Sequence, residues 1–217
     1  MLIAELFHSV QGEGRWSGTP SLFIRTSGCN LRCWFCDTPY TSWQPEGEPR
    51  SVQSLLDWVA TFDCEHVVIT GGEPLLVGEL GELTARLREA GHRLTIETAG
   101  TVWQPVACDL MSISPKRQNS TPQGTDWEHR HDARRHQPDV IRRMLSTYAC
   151  QLKFVIDAPA DVEDVADWLA EFPAARPEDI YLMPQGTDAA RLREKRSWIE
   201  LAAAERGWNV SPRLHIE

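Results

Sequence analysis

No apolar stretch among the 217 residues approaches the roughly 20 that a helix needs to cross a bilayer. A membrane partner is therefore not expected. The opening residues Met1 to Phe7 lack the basic and apolar regions of a signal peptide, so a cytoplasmic location is expected. Basic residues are outnumbered: 22 Lys and Arg stand against 31 Asp and Glu, a formal charge of −9. That balance argues against a large nucleic-acid footprint, which needs clustered cations. There is no internal repeat and no low-complexity tract. Cysteine is sparse, with six residues, which gives no sign of the disulfide framework of a small secreted protein. A hydrophobic content of 41% and a charged content of 24% are ordinary for a globular chain, and the length suits one domain over residues 1–217. Tryptophan is abundant, and Trp58, Trp168 and Trp198 fall on helical patterns that predict core positions.

Three of the six cysteines crowd one short loop, Cys29, Cys33 and Cys36. Three thiolates in eight residues can converge on one metal centre. A closed zinc site takes four protein ligands, and so does a closed cubane cluster. An iron–sulfur cluster held by three cysteines leaves one iron open to a small molecule. The competing readings are a zinc knuckle, with Cys64 or His66 as fourth ligand, and a disulfide that would strand the third thiol. Cys64, Cys108 and Cys150 lie in or beside apolar runs and read as small buried hydrophobes.

Strand and helix patterns alternate along the chain. Strands are predicted at 2–8, 22–26, 66–70, 93–98, 109–113, 151–156, 179–183 and 208–215. Helices are predicted at 52–62, 79–90, 139–149, 161–172 and 188–206, the first from its apolar period, the second closed by Gly91 and the last stopped at Gly207. Such alternation predicts a parallel sheet of about six βα units, too few for a closed eightfold barrel. The motifs fall at carboxyl ends of predicted strands, where sites of α/β sheets lie. Residues 115–138, rich in polar side chains, read as a mobile cap.

A second motif, Gly71, Gly72, Glu73 and Pro74, follows the strand at 66–70. The glycines permit a sharp turn and close approach to a ligand, and Glu73 can accept from an ammonium. The C-x3-C-x2-C spacing, Phe35 beside its last cysteine, and this glycine segment resemble the radical S-adenosylmethionine enzymes. The resemblance implies a partial, open β/α barrel, a 4Fe-4S cluster on Cys29, Cys33 and Cys36, and S-adenosylmethionine on the free iron. In that family the reduced cluster cleaves the cofactor to methionine and a 5'-deoxyadenosyl radical.

Further motifs narrow the resemblance: Val10, Gln11, Gly12, Glu13 and Gly14 before the loop, Arg25 leading into it, Asp37 and Thr38 after it, Ser114 to Lys116, and Met183 to Gly186. Together they resemble the 7-carboxy-7-deazaguanine synthase family over nearly the whole chain. That likeness implies 6-carboxy-5,6,7,8-tetrahydropterin as substrate, radical ring contraction with loss of ammonia, and a homodimer. It implies substrate contacts at Val10, Gln11, Gly12, Glu13, Arg25 and Thr70. It implies cofactor contacts at Phe35, Asp37, Gly72, Glu73, Ser114, Lys116 and Gln185, and Mg2+ on the Thr38 hydroxyl. The chemistry suits these types: a pterin edge needs donors and acceptors, and an arginine clamps a carboxylate bidentately. Thr98 and Gly100 are further candidates for the same pocket. A role for His215 or Glu217 is left in doubt, because family members often run slightly further.

The segment from His129 to His136, with Arg142 and Arg143, is a basic island on an acidic chain. It reads as a solvated face or as a docking patch for an acidic electron donor, flavodoxin or ferredoxin. Two other function classes stay open: a radical activase acting on a partner protein, and a non-catalytic metal-binding module.

Overall fold

A computed structural model describes residues 1–216, and its strands join into one sheet. The strands are β1 (Leu2–Val10), β2 (Pro20–Thr26), β3 (Glu48–Pro49), β4 (His66–Gly71), β5 (Arg93–Thr98), β6 (Leu110–Ile113), β7 (Cys150–Ile156), β8 (Ile180–Pro184) and β9 (Asn209–Val210). The helices are α1 (Pro39–Ser42), α2 (Val52–Val59), α3 (Leu80–Glu89), α4 (Glu128–Arg135), α5 (Pro138–Thr147), α6 (Pro159–Leu169) and α7 (Ala189–Arg206). The strand order is β3-β1-β2-β4-β5-β6-β7-β8-β9, and its two ends do not pair with each other. From β2 onward every neighbouring pair is parallel. The parallel strands are those the alternating pattern predicts, and the open sheet is the partial β/α barrel that the family resemblance implies.

The two faces of the parallel strands have different chemistry, because successive side chains point to opposite sides. Leu22 and Ile24, Val67 and Ile69, Leu94 and Ile96, Met111 and Ile113, and Leu152, Phe154 and Ile156 all join the core on the helix side. The residues between them include Arg25, Thr70, Glu97, Ser112 and Lys153, which line a cavity on the concave side. Helix ends follow local chemistry. Ser51 caps α2 by accepting from the Ser54 amide at 3.1 Å, and Asp188 caps α7 by accepting from the Arg191 amide at 3.0 Å. Gly207, at φ 68°, takes the left-handed turn that ends α7.

Three sequence expectations are corrected. The strand pattern at 2–8 carries no direction, and β1 runs antiparallel to β2, with Val10 opposite Pro20. Its carboxyl end therefore lies at the amino end of β2, and Gln11 to Gly14 reach the site by crossing the concave face. The last strand, expected over 208–215, pairs only at Asn209 and Val210. Pro212 has no amide to donate, and the chain turns inward beyond it. Residues 115–138 are not a structureless cap: they hold a 3-10 turn at Gln118–Ser120 and the polar helix α4.

Among the expected core tryptophans, Trp168 is buried, while Trp58 and Trp198 are partly buried against the core. Trp168 meets Phe172 at 4.1 Å and Phe154 at 5.3 Å between ring centroids, and its indole N–H donates to His136 Nδ1 at 3.1 Å. Trp168→Ala should cost about 3–5 kcal/mol in urea denaturation, and Trp58→Ala distinctly less. Equal losses would place the packing weight elsewhere.

Candidate active site

A cavity of about 480 Å³ opens on the concave face. Its walls bring together residues that are far apart in sequence: the cysteine loop, the Gln11 to Glu13 run, the ends of β2, β4, β5 and β7, and the stretch from Arg213 to Ile216. Phe7, Phe23, Phe35, Val155 and Met183 supply an apolar lining. The volume falls within the roughly 300–1,000 Å³ usual for small-molecule sites.

Cys29, Cys33 and Cys36 are free thiols and all three line this cavity. Burial pushes the Cys29 thiol up to about 11 and the Cys33 thiol up to about 12. Metal-free, both remain protonated at neutral pH, and iron must displace those protons. The Leu31 amide donates to Cys29 Sγ at 3.4 Å, and Ser42 Oγ lies 3.3 Å from Cys36 Sγ. This donor set fits a cluster gripped at three corners. No group of three or more His, Cys, Asp or Glu side chains among the described residues is gathered to hold a single ion.

Cys64 and His66 are misplaced for a zinc knuckle. They stand at the amino end of β4, beside Ser21, whereas Cys29 follows the carboxyl end of β2. The intervening strand spans roughly 16 Å. The His66 ring is occupied by Ser21 at 2.7 Å and Thr95 at 2.8 Å, and burial holds it down to about 4. Cys150 is buried and Cys64 and Cys108 are partly buried against the core, as expected.

The glycine segment packs directly on the base of the cysteine loop. The Glu73 amide donates to the Gly28 carbonyl at 2.9 Å, and a Cβ on Gly72 would lie 2.2 Å from that oxygen. Only glycine permits this approach. Glu73 itself differs from the expectation of an open acceptor. Its side chain is fully buried and accepts from Thr98 Oγ1 at 2.8 and 2.9 Å, the Ala99 amide at 2.9 Å and the Leu75 amide at 3.1 Å. Burial pushes its carboxyl up against these donors. It is absent from the cavity wall, where Gly71 and Gly72 present backbone instead.

The remaining sequence candidates divide by what their polar atoms already touch. Val10, Gly12, Thr38, Gly72 and Phe35 line the cavity. Gln11 is buried, donates to Glu97 at 3.0 Å and accepts from the Glu13 amide at 3.1 Å. Thr70 Oγ1 donates to the other Glu97 oxygen at 2.8 Å. Arg25 rests over the Phe7 ring and donates to Glu5 at 2.6 Å. Lys116 Nζ donates to the carbonyl and hydroxyl of Ser114 at 2.8 and 2.7 Å. Gln185 accepts from Lys195 at 3.2 Å. Asp37 is exposed and accepts from Arg213 at 2.7 Å. Thr98 lies on the wall, and Gly100 packs against Ile141 and Ile113 away from it.

The electrostatic centre of the cavity is Glu13. Its carboxylate pairs with Lys153 and lies 3.3 Å from Arg213 Nε. Burial alone would raise its pKa, but the Lys153 ammonium and the Arg213 guanidinium outweigh it and hold the carboxyl down to about 2. Lys153 is shifted upward: burial opposes its charge, and Glu13 and Glu97 more than compensate. Sequence reading missed Lys153 and Arg213. Lys153 did carry a signal, being the one charge in the apolar strand Cys150–Ile156, where an ammonium survives only when paired. His215, left in doubt from sequence, lies against Gly12: a Cβ there would sit 2.3 Å from its Nδ1. Glu217 lies outside the described residues.

Comparison with known proteins follows the same lines. Residues 23–149 match the radical SAM superfamily. A relative in Halobacterium salinarum named 7-carboxy-7-deazaguanine synthase is 43% identical over 99% of this chain and 88% of its own length. One of the same name in Rhodopirellula baltica is 44% identical over 100% of this chain and 85% of its own length. The crystal structure of QueE from Escherichia coli superposes with a TM-score of 0.71 at 27% identity, covering 97% of this chain and 92% of that one.

The Glu13 pairing sets a pH dependence. A carboxyl depressed in the fold contributes stability that is present above its unfolded value of 4.5 and is lost as pH falls toward about 2. Lys153→Met should shrink that acid-side loss relative to the parent protein in denaturation curves taken between pH 5 and pH 2. Superimposable pH profiles would mean the pair is not formed.

Proposed function

This chain belongs to the radical SAM superfamily and to its 7-carboxy-7-deazaguanine synthase family, and from that premise we propose that its cavity binds 6-carboxy-5,6,7,8-tetrahydropterin and yields 7-carboxy-7-deazaguanine with loss of ammonia. One observation carries the reading. The three cysteines and the polar set Gln11, Glu13, Arg25 and Thr70 open on one cavity, although they come from separate strands and loops.

Cys29, Cys33 and Cys36 would hold the 4Fe-4S cluster, and Gly71 and Gly72, Ser114, Lys116 and Gln185 would receive S-adenosylmethionine. When bound, that pair would supply a 5'-deoxyadenosyl radical, an abstractor of hydrogen atoms from carbon. The chain's own contribution is placement and shielding. Glu13, kept anionic by Lys153 and Arg213, is an acceptor for the ring N–H and amino groups of the pterin edge. Gln11 is oriented by Glu97 on one side and the Glu13 amide on the other, so its approach to the ring is preset. Arg25 has its Nε engaged by Glu5, and its terminal Nη groups would meet the substrate carboxylate. Phe7, Phe23 and Phe35 exclude water from the reacting face. Thr38 offers a hydroxyl for Mg2+, with Thr41 Oγ1 at 3.3 Å as its neighbour.

The basic island supports an acidic electron donor, flavodoxin or ferredoxin. Arg130 and Arg134 flank Trp127 at 5.7 and 5.9 Å from its ring, and exposed Trp34 lies on the cysteine loop. Arg135 is held by Asp132 at 2.9 Å and Arg134 reaches the Asn30 carbonyl of the cysteine loop at 3.4 Å, so Arg130 is the residue to reverse. A cytoplasmic homodimer completes the proposal. No helix among the described residues is long and apolar enough to cross a membrane.

Anaerobic incubation with the carboxytetrahydropterin, S-adenosylmethionine, dithionite and Mg2+ should give 7-carboxy-7-deazaguanine by mass spectrometry. A competent cluster that cleaves S-adenosylmethionine yet gives no deazaguanine would overturn the substrate assignment. Thr38→Ala should raise the Mg2+ concentration needed for half-maximal rate. Arg130→Glu should slow turnover with flavodoxin while leaving the dithionite rate unchanged.

A further inference from the structure

The segment between β6 and α5 was expected to be a loose cap, yet its contacts run to the cysteine loop. The imidazole of His131, on α4, is fully buried. The amide of Arg32, the residue immediately before Cys33, donates to its Nδ1 at 3.1 Å. An amide can only donate, so Nδ1 is the bare nitrogen and Nε2 carries the proton. That proton meets Ser120 Oγ at 2.8 Å, and Ser120 Oγ donates onward to the Arg117 carbonyl at 2.6 Å. Every member of the relay has one direction.

The far end of the relay is anchored in the barrel. Arg117 forms a two-pronged pair with Asp164 of α6 at 2.7 and 2.8 Å. The Asn119 side chain donates to the Val155 carbonyl of β7 at 3.0 Å. The near end is braced in parallel. The Trp34 amide donates to the Ser120 carbonyl at 3.2 Å, and the Trp34 indole to the Asn119 carbonyl at 2.6 Å. The Leu31 carbonyl accepts from the Arg32 guanidinium at 2.8 Å, which holds the same peptide plane from its other side.

We propose that His131 is a positioning residue for the cysteine loop: it locks the Leu31–Arg32 peptide, and so the spacing of Cys29 and Cys33, in the geometry that grips the cluster. This rests on the reading of Cys29, Cys33 and Cys36 as cluster ligands. The physical reason is that the three-residue spacer between the first two cysteines has neither helix nor strand to fix it. A buried amide without an acceptor is costly, so the loop would turn to find water and carry its thiols with it. His131 lies about 100 residues from the loop, outside the cysteine motif, and both its ring nitrogens are taken up by Arg32 and Ser120.

The test uses the full chain, reconstituted anaerobically with iron and sulfide, in four forms: parent, His131→Leu, His131→Asn and Ser120→Ala. Asparagine can return an acceptor to the Arg32 amide, and leucine cannot. Iron release to a chelator should quicken on the order of tenfold in His131→Leu, from the loss of one buried acceptor, and stay near parent in His131→Asn. Ser120→Ala should fall between. On the metal-free protein, amide hydrogen exchange over the peptide spanning Cys29 to Cys36 should rise in the same order. Parent-like release and exchange in both His131→Leu and Ser120→Ala would overturn the proposal. If His131→Leu shows no cooperative melt, Ser120→Ala decides. A parent protein that takes up no 4Fe-4S centre would defeat the cofactor reading instead, and the exchange measurement would still judge His131.

Discussion

The carboxylate of Glu13 is held by two cations, Lys153 from β7 and Arg213 from the stretch beyond β9. An unpaired carboxylate in that position would be driven to its neutral form or expelled to water. A buried ion pair is a poor source of stability, since its desolvation offsets its attraction. Its use here is positional. Arg213 also reaches Asp37 of the cysteine loop and the Gly186 carbonyl after β8. One buried anion therefore fixes the relation between the loop after β1, the middle of β7 and the mouth of the cavity. The separate walls of the site come into register around it.

The sheet divides labour between its faces. On the helix side, Val67, Ile69, Leu94 and Ile96 are inaccessible to water and carry the packing. On the concave side, the register sets Arg25 beside Thr70 and Glu97 beside Ser112. The substitutions a fold can tolerate on one face are thus decoupled from the chemistry on the other. Glu73 belongs to neither face. It ties the turn after β4 to the end of β5 through Thr98 and Ala99, so the backbone beside the cysteine loop is set by a carboxylate that never meets the cavity.

Much of this was legible in the sequence. The alternation of strand and helix predicted a parallel sheet, the cysteine spacing and glycine pair carried the resemblance that implied an open barrel, and β4, β5 and β7 fall where the apolar patterns put them. What escaped had physical reasons. Period-two alternation in Leu2–Val10 says nothing of direction, so the antiparallel pairing of β1 was invisible. Helix α4 has almost no apolar face: of its residues only His131 is buried, and a polar composition reads as loop. Lys153 gave a usable hint as a lone charge in an apolar strand. Arg213 gave none, because its partners are distant and the stretch after Ser211 has no periodicity.

The Leu214 amide bonds the Gly12 carbonyl, and the Gly14 amide bonds Ser211 Oγ, which joins stretches about 200 residues apart. Contacts of such long sequence separation are slow to form, because nearly the entire polymer must be ordered before they close. During synthesis, the sheet from β1 to β8 can collapse while this seam is still missing. The cavity wall built from Gln11 to Gly14 is thus completed late, after the parallel strands behind it have already packed.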